Sequence, residues 1–310
     1  MTRLWHKYAV ALFLVAIIPV GVAGWQIAER GAAEVTVSAK AYHVAVGDTA
    51  LGGIRAYIDG AVTEANTLGA TVGMAQIPAE ERMQKAQAQL IGAKYLQTFT
   101  VYTPEGQDVQ TMEGANAEAK AVQAIEPPKP LPEALRAQAK AKGWAFDAIA
   151  TRPDGSLVLP LVVRVLKADG EVYAYAWTGI DLGPLSAQVA ELSQRRFGDN
   201  ALVTLIDAQG AAGKGMAIRV IGSADKARIG RPFAENGADI GIDKPEALQR
   251  DMSHTFEYVT ASGEARLGAV TPVIDLAWGI IVEQPRAEVF AGVGRIWQTT
   301  LMVGAIFAVL

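Results

Sequence analysis

Two stretches of this sequence echo one another at a fixed distance, and that repeat limits the folds available to it. Thr100-Val-Tyr-Thr-Pro-Glu-Gly106 is matched by Thr204-Leu-Ile-Asp-Ala-Gln-Gly210, 104 positions further on. Each reads as a strand entering a tight turn that ends in glycine. The strand that ends each unit keeps the same offset, Tyr175-Ala-Trp-Thr-Gly-Ile-Asp181 and Gly279-Ile-Ile-Val-Glu-Gln284. An amphipathic helix follows each, over 185–197 and from Glu288 onward. Each unit also holds a hairpin: 157–165 with 171–180 around Ala168-Asp-Gly170, and 254–260 with 265–273 around Ala261-Ser-Gly263. Glycine at these tips supplies the positive φ such turns require. Polar, helix-prone segments (130–143 and 224–249) separate the first strands from the hairpins. Two units of roughly a hundred residues, each a mostly antiparallel sheet with helices, make an α+β tandem.

A helix precedes the tandem. Leu51, Ile54, Ile58, Ala61, Ala65, Leu68 and Val72 are spaced alternately three and four apart, a heptad seam. Glycines at 47, 52, 53, 60, 69 and 73 lower its intrinsic helix propensity, so packing must hold it. Two partners suit such a seam: the helix's own domain, or the same helix of a second copy.

Both ends of the chain are apolar. Tyr8–Trp25 carries no charge, follows Arg3 and Lys7, and has Trp5, Tyr8 and Trp25 at its edges, as a membrane span requires. A cleaved secretory signal is the alternative, but its apolar core is shorter, about 7–15 residues. The positive-inside rule keeps the N-terminus cytoplasmic. From Ile296 the sequence reads IWQTTLMVGAIFAVL, the start of a second span cut short. The segment between, about 26–292, is expected outside the cytoplasm, in the periplasm of an inner-membrane protein. The expected boundaries are 1–25 for the cytoplasmic N-terminus and first span, 26–76 for a stalk helix, 77–195 and 196–292 for the two units, and 293–310 for the second span.

The composition excludes several functions. A net charge of −4 and a pI near 5.5 argue against nucleic acid as a partner, since that needs a basic surface. Without cysteine there is no disulfide scaffold, thiolate metal site or cysteine nucleophile. The three histidines, His6, His43 and His254, are too scattered for a metal centre. The glycine-rich 210–215 lacks the phosphate-loop pattern. No catalytic residues, metal ligands or cofactor are expected, and the chain reads as no enzyme.

Helix, tandem units and second span together resemble the double Cache sensor of bacterial transmembrane receptors, built from two PAS-like units. The local matches are Gly179-Ile-Asp181-Leu, Leu205-Ile-Asp207-Ala-Gln-Gly210 and Thr271-Pro-Val with Trp278-Gly-Ile-Ile-Val-Glu-Gln-Pro285. The resemblance covers essentially the whole chain. It implies a signal-transduction receptor that senses a small molecule outside the membrane. The first, membrane-distal unit would hold the ligand, and a cytoplasmic output such as a chemoreceptor, kinase or cyclase module would follow. One branch of the family binds amino acids through an Arg-x-Trp-Tyr cluster and a closing Asp. Here Trp144 and Asp181 match, while Lys142 and Ala145 stand for the Arg and the Tyr. A homodimer is expected as well. The competing reading is a membrane-anchored binding or scaffold protein without signalling output.

The binding candidates lie in the first unit. Tyr173, Tyr175 and Trp177 alternate, which puts all three on one face of a regular strand, with Asp181 at its end on the same face. Aromatic walls with one carboxylate suit a cationic or polyol ligand. Tyr102, Trp144 and Arg152 are expected to reach the same cavity. For any single aromatic, plain core packing is the competing explanation. Tyr258 and Trp278 of the second unit read as structural.

Overall fold

The computed structural model describes the backbone of residues 2–114, 125–198, 202–208, 218–233, 252–260 and 262–292, with positions 240, 242, 248, 294, 298 and 302. Helix α1 runs unbroken over Thr2–Val72. Its heptad seam is taken up inside the chain: Ile54, Ile58, Ala61, Ala65, Leu68 and Val72 are buried, Leu51 is half-buried, and Val46 and Ala50 extend the stripe. Among the described residues no helix is long and apolar enough to cross a membrane. The side chains of 1–21, 23, 24, 27 and 28, which bear the expected first span, lie outside the described residues, as does most of 293–310.

After the short helix α2 (Ala79–Ile91) come β1 (Leu96–Tyr102), β2 (Asp108–Glu113), α3 (Glu133–Lys142), β3 (Trp144–Phe146), β4 (Ala150–Thr151), β5 (Leu157–Leu166) and β6 (Val172–Asp181). They form an antiparallel sheet ordered β2-β1-β6-β5-β3, with β4 paired to β5. Helix α4 (Gly183–Phe197) leads to the second sheet. Its strands are β7 (Leu202–Asp207), β8 (Arg219–Ser223), β9 (His254–Val259), β10 (Ala265–Val273) and β11 (Trp278–Pro285), ordered β8-β7-β11-β10-β9. A last described helix, α5 (Arg286–Val289), follows β11 directly. The fold is thus α+β with a long N-terminal helix and two antiparallel sheets of matching strand order. The Gly210–Gly215 segment lies outside the described residues.

The matching order refines the repeat. The hairpin β5–β6 turns at Gly170 (φ 87°) and the hairpin β9–β10 at Gly263 (φ 84°). These two hairpins are not equivalents of each other. In strand order β5–β6 corresponds to β10–β11, which are joined through a short 3-10 turn at Ile274–Leu276.

One apolar core follows α1 along both sheets, from Val46 to Val72 on the helix. It takes in Leu161, Val163 and Ala176 of the first sheet and Leu205, Ile280 and Val282 of the second. Each sheet's other face is covered separately. Leu131, Leu135 and Ala139 cover the first; Phe233, Ile240, Ile242 and Leu248 cover the second. Close approach explains at least one stalk glycine. A Cβ at Gly47 would run into the Thr271 hydroxyl, so β10 packs directly on the helix backbone there. Arg219 joins the units, its Nη2 donating to the Ile149 carbonyl at 2.9 Å and approaching Asp207 at 3.5 Å.

His43 sits where α1 meets the second sheet. It is fully buried, with Nε2 3.4 Å from Gln284 Oε1, its ring 5.7 Å from that of Phe197, and Nδ1 without a partner. Burial holds the imidazole below its ordinary pKa of 6.5, and the Gln284 hydrogen bond opposes this only in part. Below pH 6.5 the unfolded chain therefore binds the proton that the folded chain resists, and stability falls as pH drops through that window. Urea unfolding at about pH 7.5 and about pH 5.5 should show a larger loss for wild type than for His43→Gln. Equal losses would mean that the folded protein accommodates the imidazolium.

Candidate functional site

The outer face of the first sheet carries most of the expected site. Tyr102 pairs directly with Tyr175, and Trp177 lies between Thr100 and Val162 of the neighbouring strands. Tyr102, Tyr175 and Trp177 are 0%, 5% and 2% exposed, packed against Leu131, Leu135, Ala139 and Ala145. The Tyr102 hydroxyl donates to the Pro128 carbonyl at 2.8 Å. Burial and the nearby Asp108 raise its pKa, so it stays a neutral donor. Three of the expected aromatics thus form a wall, and the chain's own residues around α3 fill the space in front of it.

Two expected members are elsewhere. Val165 pairs with Ala174 but Leu166 pairs with Val172, so Tyr173 is an extra residue in β6. That bulge turns Tyr173 away from the Tyr175 row, because alternation fails across an inserted residue. Its ring packs on the core that follows α1, beneath the Arg82 guanidinium at 5.3 Å. Trp144 pairs with Val163, while Ala145 pairs with Val162 on the aromatic face. Trp144 therefore faces α1 and packs at a tilt against Phe146, ring centroids 4.8 Å apart. These two rings line a cleft of about 260 Å³ with Ile54, Ile58 and Leu276.

Arg152 and Asp181 do meet, at the end of the aromatic face. Arg152 is 5% exposed, with Nη1 3.9 Å from Asp181 Oδ1 and 3.2 Å from the Ser156 hydroxyl. Burial lowers the pKa of Arg152, and the Asp181 charge works against that. Gln97 bridges the pair, accepting from Arg152 Nη2 and donating to Asp181 Oδ2 at 3.2 Å. Asp181 Oδ1 also accepts from Gly183 N at 2.9 Å, at the first turn of α4. The Asp181 carbonyl accepts from the Tyr57 hydroxyl of α1 at 2.8 Å. A buried guanidinium, a carboxylate and an amide in one cluster can hold a polar or zwitterionic group, because each charge has its complement at hand.

Gln97 and Tyr57 are absent from the reading of the sequence. Gln97 left one signal, a long polar side chain entering the otherwise apolar or hydroxyl-bearing strand Leu-Gln-Thr-Phe-Thr-Val-Tyr. Tyr57 left none, since its heptad position flanks the seam. Among the described residues no three His, Asp or Glu side chains gather as a metal site.

Comparison with known proteins addresses the fold. No family model matches the chain, and no curated protein matches it in sequence. Solved structures do. The ligand-binding domain of the Pseudomonas aeruginosa amino-acid chemoreceptor PctB, bound to L-Arg, aligns over 87% of this chain and 98% of its own, with TM-score 0.56 and 15% identity. That of the chemoreceptor PctC from the same organism, bound to GABA, aligns over 79% and 99%, with TM-score 0.56 and 16% identity. The sensory domain of the Campylobacter jejuni chemoreceptor Tlp3 aligns over 84% and 98%, with TM-score 0.58 and 13% identity. The chain has the double Cache fold of chemoreceptor sensor domains.

Asp181 neutralises a buried cation and holds the start of α4, so Asp181→Ala should cost about 1–3 kcal/mol of stability. Arg152→Met in the Asp181→Ala background should recover part of the loss, because the orphaned charge goes too. Urea unfolding of the two variants measures both. Wild-type stability in Asp181→Ala would reduce the cluster to proximity without energy.

Proposed function

We propose that the chain is the extracytoplasmic sensing module of a bacterial transmembrane receptor, binding a small molecule in its first unit. The observation that carries this reading is the near-complete alignment with chemoreceptor ligand-binding domains, joined to a polar cluster at the end of an aromatic face. On this reading residues 77–195 are the membrane-distal unit and 196–292 the membrane-proximal one. Tyr8–Trp25 anchors the chain in the inner membrane with its N-terminus cytoplasmic, and the stalk relays binding to a cytoplasmic output module. Asp181, Arg152 and Gln97 hold the ligand's polar end, and the α3 segment that covers Tyr102, Tyr175 and Trp177 moves aside to admit its body. Homodimers form along α1, whose flank at Gly52, Arg55, Ala56 and Asp59 is exposed. The module works by binding, without catalysis.

The neighbours were solved with L-Arg, L-Gln and GABA bound, which makes amino acids and their decarboxylated relatives the first ligands to screen. A hit should raise the melting temperature of the full chain, since a ligand of the folded state alone stabilises it by mass action. Asp181→Asn should abolish that shift while keeping its own cooperative transition. A shift of equal size in the variant would remove Asp181 from the site, and no shift across a panel of amino acids, amines and polyols would overturn sensing of this ligand class.

A further inference from the structure

The opposite face of the first sheet holds a large cavity. It measures about 900 Å³ and opens between α2, the β1–β2 hairpin and the bulge at Tyr173. Its walls are mainly apolar, with Met83 and Ile91 from α2 and Val101 and Val109 from the hairpin, and Gln84, Gln87 and Gln110 add polar groups. Ile91 is 52% exposed and Val109 62%, so two large aliphatic side chains at its mouth are left to water. A pocket with apolar walls and few polar groups is the usual form of a small-molecule site.

Its one cation is Arg82. The guanidinium lies over the Tyr173 ring, Nη1 donates to the Val72 carbonyl at 2.9 Å, and Nη2 reaches the Tyr173 hydroxyl at 3.4 Å. Two of its five N–H donors are thereby engaged. Nε is shut off from solvent with no partner, and among the described residues no carboxylate comes within ion-pair distance of Arg82. A half-buried guanidinium held by neutral acceptors alone lacks its usual counter-charge. Glu80 also lines the cavity, and its carboxylate opposes a second negative charge on any occupant.

We infer that this cavity is a second ligand site, taking a monoanion with an apolar body whose carboxylate pairs with Arg82 while the body lies against Met83, Val101 and Val109. The site is independent of the Asp181 cluster, which lies on the other face of the sheet. Arg82 also holds the last carbonyl of α1, so an occupant binds directly at the distal end of the stalk.

The test is calorimetric titration of the full chain in lipid nanodiscs with hexanoate, 3-phenylpropanoate and 2-naphthoate, each against its primary amide. At least one carboxylate should bind, its amide about tenfold more weakly or worse, since a charge-assisted pair is lost. Arg82→Gln should weaken the carboxylate by about tenfold or more, again through the lost charge-assisted pair. Val109→Trp, on an exposed edge position, should block binding while leaving the melting temperature unchanged. Asp181→Asn should leave this binding intact. The inference is overturned if no carboxylate binds, if amide and acid bind alike, or if Val109→Trp binds like wild type. Loss of binding in Asp181→Asn alone would place the carboxylate on the opposite face and overturn it too.

Discussion

The apolar stripe of α1 is the contact on which the rest of the structure depends. Each sheet has two faces to cover, and one face of both sheets is covered by the same helix. The two sheets therefore share a core rather than each closing its own. The stripe achieves close approach through small residues. Ala61 and Ala65 are fully buried, and Gly69 faces Val165 Cγ2, which a Cβ there would meet at 3.3 Å. Glycine costs a helix about 1 kcal/mol relative to alanine, a cost that close backbone approach can offset. In α1 the glycines at 47 and 69 allow such approach, and the propensity they forfeit is offset by packing.

With the inner faces committed to α1, the outer faces are left for local segments, and there the two units diverge. The first is closed by a short helix over three aromatic rings. The second is closed by Phe233, Ile240, Ile242 and Leu248 over Phe256 and Tyr258. Both place an acid on the strand at the middle of the sheet, half-buried in the first and buried in the second, and answer it with arginine. Asp181 of β6 meets Arg152, and Glu283 of β11 meets Arg266 at 3.3 Å while accepting from the Tyr258 hydroxyl at 2.6 Å. Burying an ion pair rarely stabilises more than an apolar pair of the same shape, but breaking one is costly. Such pairs fix register and orientation more than they add free energy.

What could be read in the sequence follows the range of each signal. The heptad stripe, the hairpin tips at Gly170 and Gly263 and the offset strands are local or strictly periodic, and the structure has them. The candidate site was legible only in part. Alternation placed Tyr175, Trp177 and Asp181 together correctly, because β6 is regular from Ala174 to Asp181 against β5. It misplaced Tyr173, because nothing in Val-Tyr-Ala-Tyr marks the bulge, which arises from pairing with a strand several residues away. Trp144 was misplaced for a related reason. A three-residue strand has no periodicity of its own, so its parity is set by register with β5. The filling of the aromatic face by Leu131 and Leu135 was equally hidden, since packing partners across a sheet leave no trace in local spacing.

Asp181 brings these threads to one residue. Its carboxylate belongs to the outer face, through Arg152 and Gln97, while its carbonyl is held by Tyr57 from the inner helix. Tyr57 in turn packs edge-on against Tyr95, ring centroids 5.0 Å apart, and Glu64 of α1 accepts from the amides of both Lys94 and Tyr95. The end of β6 and the start of β1 are thus pinned to α1 by hydrogen bonds rather than by apolar contact alone. Hydrogen bonds are directional, so a shift of β6 along its axis is transmitted where a greasy interface would slide. On the proposed function, a ligand competing for the Asp181 carboxylate acts on the residue whose backbone anchors the stalk. The bias it exerts equals its difference in affinity for the two positions of that strand end, and tight binding without that difference would move nothing.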